Sequence, residues 1–142
     1  MYGSMVRFML RRAVRNVNRG NIGPMLSSYS ESAVSVFPGE HSWGGEYRGK
    51  AAIEGFLRRF VDAGLQLEPE EILVNGWPWD TTVCVRFTDG SPGPGGKVVY
   101  SNRGVIFARS KWGKIVLQET YEDTQRVADW DKRLAATGAP IT

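Results

Sequence analysis

The stretch VFPGEHSWGGEYRGK (Val36–Lys50) decides how this chain is read. Before it, Ser30 to Phe37 alternates, with Ala33, Ser35 and Phe37 on one face and Val34 and Val36 on the other. Alternation of period two is the mark of a strand. After it, Ala51 to Ala63 carries Ile53, Phe56, Leu57, Phe60 and Val61 on one face of a helix, and Gly64 follows as the C-terminal cap. Between them, Pro38-Gly39 turns the chain, Gly44-Gly45 bends it again, and Glu46 to Arg48 has room for a short strand. The segment also holds the chain's only histidine, His41, together with Trp43, Glu40, Glu46, Tyr47 and Arg48. Groups able to do chemistry gather where a strand turns over and feeds a helix. The segment is therefore expected to rim a pocket closed by the second half of the chain.

On the N-terminal side, Met5 to Arg19 places Val6, Met9, Leu10, Ala13, Val14 and Val17 on one face. Arginines at 7, 11 and 15 repel one another at that spacing, so this helix needs packing on something larger. Gly20-Asn21 ends it, and Pro24 opens a short second helix to Tyr29. On the C-terminal side, Leu65 to Asn75 reads as a strand whose Pro69 suits an edge or a bulge. Thr81 to Thr88 is β-branched and alternating. Asp89 to Gly96, DGSPGPGG, reads as a loop. Lys97 to Arg109 and Lys111 to Glu122 read as strands joined at Ser110 to Gly113, followed by a helix at Thr124 to Ala136 and a frayed tail at Thr137 to Thr142. Helices first and a meander after them is an α+β layout. A curved antiparallel sheet wrapped on the N-terminal helices would make a cone with one open end.

At 142 residues the chain is expected to be one domain, 1–142, with its core at about 5–136. No apolar run reaches the ~18 residues that span a bilayer, so no membrane partner is expected. No small-residue cleavage site follows an apolar run, which argues against an export signal and for a cytoplasmic protein. The single cysteine, Cys84, excludes an internal disulfide and reads as a small buried hydrophobe. One cysteine and one histidine leave no set for zinc. The net charge is +3, and Arg7, Arg11, Arg12, Arg15 and Arg19 all precede the first acidic residue, Glu31. Nucleic-acid binding through them is disfavoured because no aromatic ladder accompanies them, and a solvated helix face is the plainer reading.

The order of elements and the residues together resemble the nuclear transport factor 2-like superfamily, and within it the SnoaL-like branch. The resemblance rests on Phe37-Pro38-Gly39, on Gly45-x-Tyr47-x-Gly49-Lys50 opening a helix, on Tyr100-x-Asn102, and on Trp112-Gly113-Lys114-Ile115 followed by Glu119-Thr120-Tyr121-Glu122-Asp123-Thr124. It implies a cone-shaped apolar pocket for a small molecule and, often in the family, a homodimer through the outer face of the sheet; no metal and no cofactor are expected. It implies no single reaction. When Tyr121-Glu122-Asp123 is set on the matching run of the epoxide hydrolases, their catalytic aspartate falls at Thr120 and their partner tryptophan at Gln118, so that activity is disfavoured. The helix tyrosine of the ketosteroid isomerases also has no counterpart, since the first helix has no internal Tyr.

Within that frame, His41 is the candidate general base beside a carboxylate (Glu40, Glu46 or Glu119), removing a proton alpha to a carbonyl. The alternative is an exposed turn histidine. Glu119, Tyr121 and Asp123 share one face of the last strand by alternation. Glu119 is the second catalytic candidate, against an ion pair with Arg103. Asp123 is a ligand-binding candidate, against a cap on the last helix. Tyr100 and Asn102 share a face and could hold a ligand carbonyl. Trp43 is the tryptophan best placed to touch a ligand. Which face of the last strand points inward stays open at this level. Two readings follow: an isomerase-, cyclase- or hydratase-type enzyme using proton abstraction on an apolar carbonyl compound, or a non-catalytic dimerisation or interaction module of the same fold.

Overall fold

In the structure, a computed structural model describing residues 1–91 and 100–136, the helix after the opening stretch is α3. The elements in order are α1 (Tyr2–Asn18), α2 (Gly23–Ser27), β1 (Tyr29–Phe37), β2 (Gly45–Arg48), α3 (Lys50–Asp62), β3 (Gln66–Trp77), β4 (Asp80–Ser91), β5 (Tyr100–Lys111), β6 (Lys114–Glu122) and α4 (Thr124–Ala136). Ile53, Leu57 and Phe60 of α3 are buried at helical spacing. The helix closes with the amide of Leu65 donating to the Phe60 carbonyl and that of Gly64 to Val61. This reciprocal closure needs a left-handed residue, and Gly64 supplies it at φ +72°.

The six strands form one curved, unclosed sheet in the order β2-β1-β6-β5-β4-β3. Neighbours are antiparallel except β1 and β6, which run parallel. This parallel pair departs from the wholly antiparallel sheet expected. α3 and the whole meander lie between the two strands in sequence, so no hairpin constrains their direction. Pro69 does sit on an edge strand, and the register shifts between Pro69 and Glu71. α1 covers that edge. The Asn18 side chain donates to the Leu67 carbonyl and accepts from the Leu67 amide, at 2.8 and 3.0 Å, and Arg11 donates to the Pro69 carbonyl at 3.0 Å. The edge thus has partners for groups that would otherwise invite another strand.

Strand alternation assigns the faces. Val83, Val85 and Phe87 of β4 and Ala108 of β5 are buried together against Ile72, with Val6 and Leu10 of α1 packed on them. A second cluster joins Phe37, Trp43, Phe60 and Leu65 to Tyr100, Val127 and Trp130. The β5–β6 turn is Trp112-Gly113, with φ of +52° and +79°. That is the mirror-image turn whose twist matches a hairpin, here with tryptophan in a position that usually falls to Asn or Gly. β4 continues through Asp89 to Ser91, so the expected loop does not begin at Asp89. The rest of that loop, the strand residues 97–99 and the tail 137–142 lie outside the described residues.

Candidate functional site

Between the sheet, α1, α3 and α4 lies a cavity of about 560 Å³. At one end, α4 lays Trp130 over it. Trp130 stacks on Tyr100 of β5, with ring centroids 4.4 Å apart and planes at 17°. On Trp43 it stacks at 5.9 Å and 18°. The Arg59 guanidinium lies 3.9 Å from the centre of the Trp43 ring. Trp43 and Trp130 are 3% and 2% exposed. Their indole N–H groups are buried without an acceptor among the described residues.

Beside this stack stand two carboxylates that sequence reasoning did not single out, Asp89 and Glu122. Asp89 pairs with Asn102 across β4–β5, and Glu122 pairs with Gly104 across β5–β6. Asn102 and Gly104 are two apart, so both acids share the inner face of the sheet. Gly104 matters for the fit: a Cβ there would overlap the Tyr121 carbonyl oxygen and the Glu122 Cβ. Asp89 and Glu122 share a hydrogen bond, which needs a proton on one of them. Asp89 Oδ1 and Glu122 Oε2 are buried and have no other partner among the described residues. Burial pushes the Asp89 carboxyl up to about 6, partly offset by that hydrogen bond. Burial pushes Glu122 up to about 9, reinforced by the charge and hydrogen bond of Asp89. Between these values the pair holds one proton and one negative charge, and Glu122 is the carboxyl pushed further toward its protonated form.

Asn102 and Tyr100 organise this pair. The Asn102 amide donates to the Tyr100 hydroxyl at 2.8 Å and to the Asp123 carbonyl at 2.9 Å, and its oxygen accepts from the Arg103 amide at 2.8 Å. The Tyr100 hydroxyl donates in turn toward Glu122 Oε1 at 3.5 Å. Burial first, then the charges of Asp89 and Glu122, raise the Tyr100 phenol far enough to keep it protonated. Tyr100 lines the cavity, whereas Asn102 ties β5 to the start of α4.

The other expected residues lie elsewhere. His41 is outside the cavity lining, with its ring edge-on to Phe37 at 5.2 Å. Burial holds its imidazole below the ordinary value, while the Pro38 carbonyl and Asp131 pull it up and Arg59 pulls it down. Its neighbours are structural: Asp131 of α4 accepts from the Ser42 amide and hydroxyl at 2.7 and 2.6 Å, fastening α4 to the loop. Glu119 is on the outer face, where the exposed Tyr121 hydroxyl donates to it at 2.8 Å. The ion pair with Arg103 does not form, because Glu119 stands opposite Phe107, four residues along the strand from Arg103. Asp123 is the cap of α4, its Oδ1 accepting from the amides of Gln125 and Arg126 at 3.1 and 3.3 Å. The inner face of β6 instead presents Gln118, Thr120 and Glu122. Among the described residues no group of three or more His, Cys, Asp or Glu is placed to hold a metal ion.

The fold is that of a nuclear transport factor 2-like domain built around an internal cavity. The sequence matches the model of the SnoaL-like domain over residues 10–118, and the chain belongs to that family. A nuclear transport factor 2-like protein of unknown function from Burkholderia pseudomallei is similar in structure, with 18% identity, TM-score 0.74, and 88% of this chain and 95% of that one covered. TerC co-crystallised with polyporic acid has 20% identity and TM-score 0.67, over 87% of this chain and 95% of that one. A protein of ketosteroid isomerase-like fold from Catenulispora acidiphila, in complex with trimethylamine, has 15% identity and TM-score 0.68, over 94% of each chain. No curated protein sequence matches this one.

Proposed function

We propose that this protein takes up a flat, apolar carbonyl compound and moves a proton within it, Asp89 acting as base and Glu122 as acid. The observation that carries this reading is the pair of buried inner-face carboxylates, Asp89 and Glu122, at the wall of a mostly apolar cavity. Asp89 accepts the proton from the carbon alpha to the carbonyl as that C–H bond breaks. Glu122 gives its proton to the oxygen as the enol forms. The bond between the two carboxyls lets a proton pass from one to the other afterwards, which restores the starting state. Tyr100 orients Glu122, and the Trp43–Trp130–Tyr100 stack gives the ring system of the compound an aromatic wall to pack against. The relatives bound to polyporic acid and to trimethylamine support a small molecule as occupant. The cavity is also larger than the roughly 300 Å³ at which ligand sites begin.

The test is deuterium exchange at the alpha carbon of steroid enones, aryl ketones and hydroxyquinones, followed by NMR. The base must be ionised and the acid protonated, so the rate should be bell-shaped with limbs near 6 and 9. Asp89→Asn and Glu122→Gln should each lower it by about 10²-fold or more, and His41→Ala and Glu119→Gln should leave it nearly intact. Exchange that survives Asp89→Asn would end this assignment. A second reading, a binding or dimerisation module without turnover, is favoured by the outer face, where Leu73, Val105 and Tyr121 are 59%, 42% and 49% exposed. A homodimer formed there should dissociate in Val105→Glu under analytical ultracentrifugation.

A further inference from the structure

The cavity also reaches the opposite end of β5 and β6, where Met5 and Met9 of α1, Met25 of α2 and Gly113 of the β5–β6 turn line it. Ile115 at that end and Glu122 are seven residues apart on one strand, a span of about 23 Å. The rim there exposes large apolar side chains. Met5, Phe8 and Met9 of α1 are 52%, 62% and 60% exposed, and Trp112 in the turn is 74% exposed. Met5 is three and four residues from Phe8 and Met9, and these are four and three from Arg12, so the four share one flank of the helix. The opposite flank, with Val6, Leu10, Ala13 and Val17, is the one packed on the protein. α1 contains Arg7, Arg11, Arg12 and Arg15 and no carboxylate. None of these arginines, nor Arg19 just after, forms an ion pair among the described residues.

We propose that this flank of α1 rests on an anionic lipid surface, so that the cavity opens toward the membrane from which an apolar ligand would enter. A helix that exposes Phe and Met between arginines is the composition of a segment lying in the headgroup region. No helix among the described residues is long and apolar enough to cross a membrane, which bears on spanning and not on surface contact. A second copy docked by the same flank would bring arginine against arginine with no acid to receive it. A nucleic acid would match the charge but would leave Met5, Phe8 and Met9 in water. The proposal rests on the pocket reading only in what it says about the ligand; the contact itself stands on the exposed rim and its charge.

The experiment is co-sedimentation of the full chain with vesicles of 70:30 phosphatidylcholine and phosphatidylglycerol, and with pure phosphatidylcholine, at low and high salt. Binding should be at least tenfold stronger to the anionic vesicles and should fall at high salt. Each arginine near the surface is worth about a fivefold change in partition, so Arg12→Gln with Arg15→Gln should weaken binding by about 25-fold. Phe8→Ser with Met9→Ser should abolish it while leaving the melting temperature nearly unchanged, since both side chains are more than half exposed. Asp89→Asn should bind vesicles as wild type does, so that either reading can fail without the other. Three results would overturn the proposal. One is no preference for anionic vesicles. Another is full binding by the Phe8 and Met9 variant. The last is a concentration-dependent mass that the same variant reduces, which would mark the flank as a contact between copies.

Discussion

Asp89→Asn gives the sharpest physical test of the site, because it reads the buried charge through stability and needs no substrate. In the folded chain burial raises Asp89 from 3.8 to about 6. A carboxyl whose folded value is raised favours folding while protonated, so its contribution is complete below pH 3.8 and is lost as pH rises through about 6. The full rise corresponds to about 3 kcal/mol at neutral pH. Asparagine keeps the shape and removes the ionisation. It also relieves Glu122, whose own rise has the charge of Asp89 as its second cause after burial. The variant should therefore match wild type near pH 4 and exceed it by about 3 kcal/mol at pH 7, or on the order of 10 °C for a chain of this length. Other acids titrate in both proteins, so the quantity to measure is the difference between the two melting curves at each pH. A difference that stays constant from pH 4 to pH 7.5 would refute the buried-charge argument, and the acid–base assignment would fall with it.

Trp130→Ala should destabilise by about 3–5 kcal/mol, since Trp130 is 2% exposed and stacks on both Tyr100 and Trp43; urea unfolding would measure it. Asn102→Leu should lose about 2 kcal/mol by stranding the Asp123 carbonyl and the Tyr100 hydroxyl, and in the same variant the upper limb of the exchange profile should shift as Glu122 loses its oriented donor. Gly64→Ala should cost about 1 kcal/mol, because φ is +72° there, with no effect on exchange.

Much of the fold was legible because its signals are local. The 3.6 period of α3, the Gly64 stop, Pro69 on an edge and the turn at Trp112-Gly113 each follow from backbone sterics within a few residues. The motif from Phe37 to Lys50 and the ending from Trp112 to Thr124 placed the chain in its family. The site was legible only in part. Tyr100 and Trp43 are at the cavity, but Glu119 and Tyr121 belong to the outer face of β6. One signal could have corrected this: the comparison that put the hydrolases' aspartate at Thr120 already marked the inward parity, and Glu122 is two residues further on. Asp89 was hidden by its neighbours. The run DGSPGPGG reads as a loop from its first residue, although Val83, Val85 and Phe87 establish a parity that carries through to Asp89.

What the sequence by itself determined is the period of each element, and period is a local property of φ, ψ and side-chain sterics. It divided β6 into two faces without saying which one is buried, because a period of two is symmetric between them. That choice was made by the tertiary structure, through the placement of β6 between β1 and β5 and the shifts of register at Tyr29/Val34 and at Arg109/Ser110. The same placement brings Asp89 and Glu122, far apart in the chain, onto one face across Gly104. Their raised proton affinities depend on burial and on each other, and neither the partner nor the burial exists until the sheet has curved and α4 has closed over it.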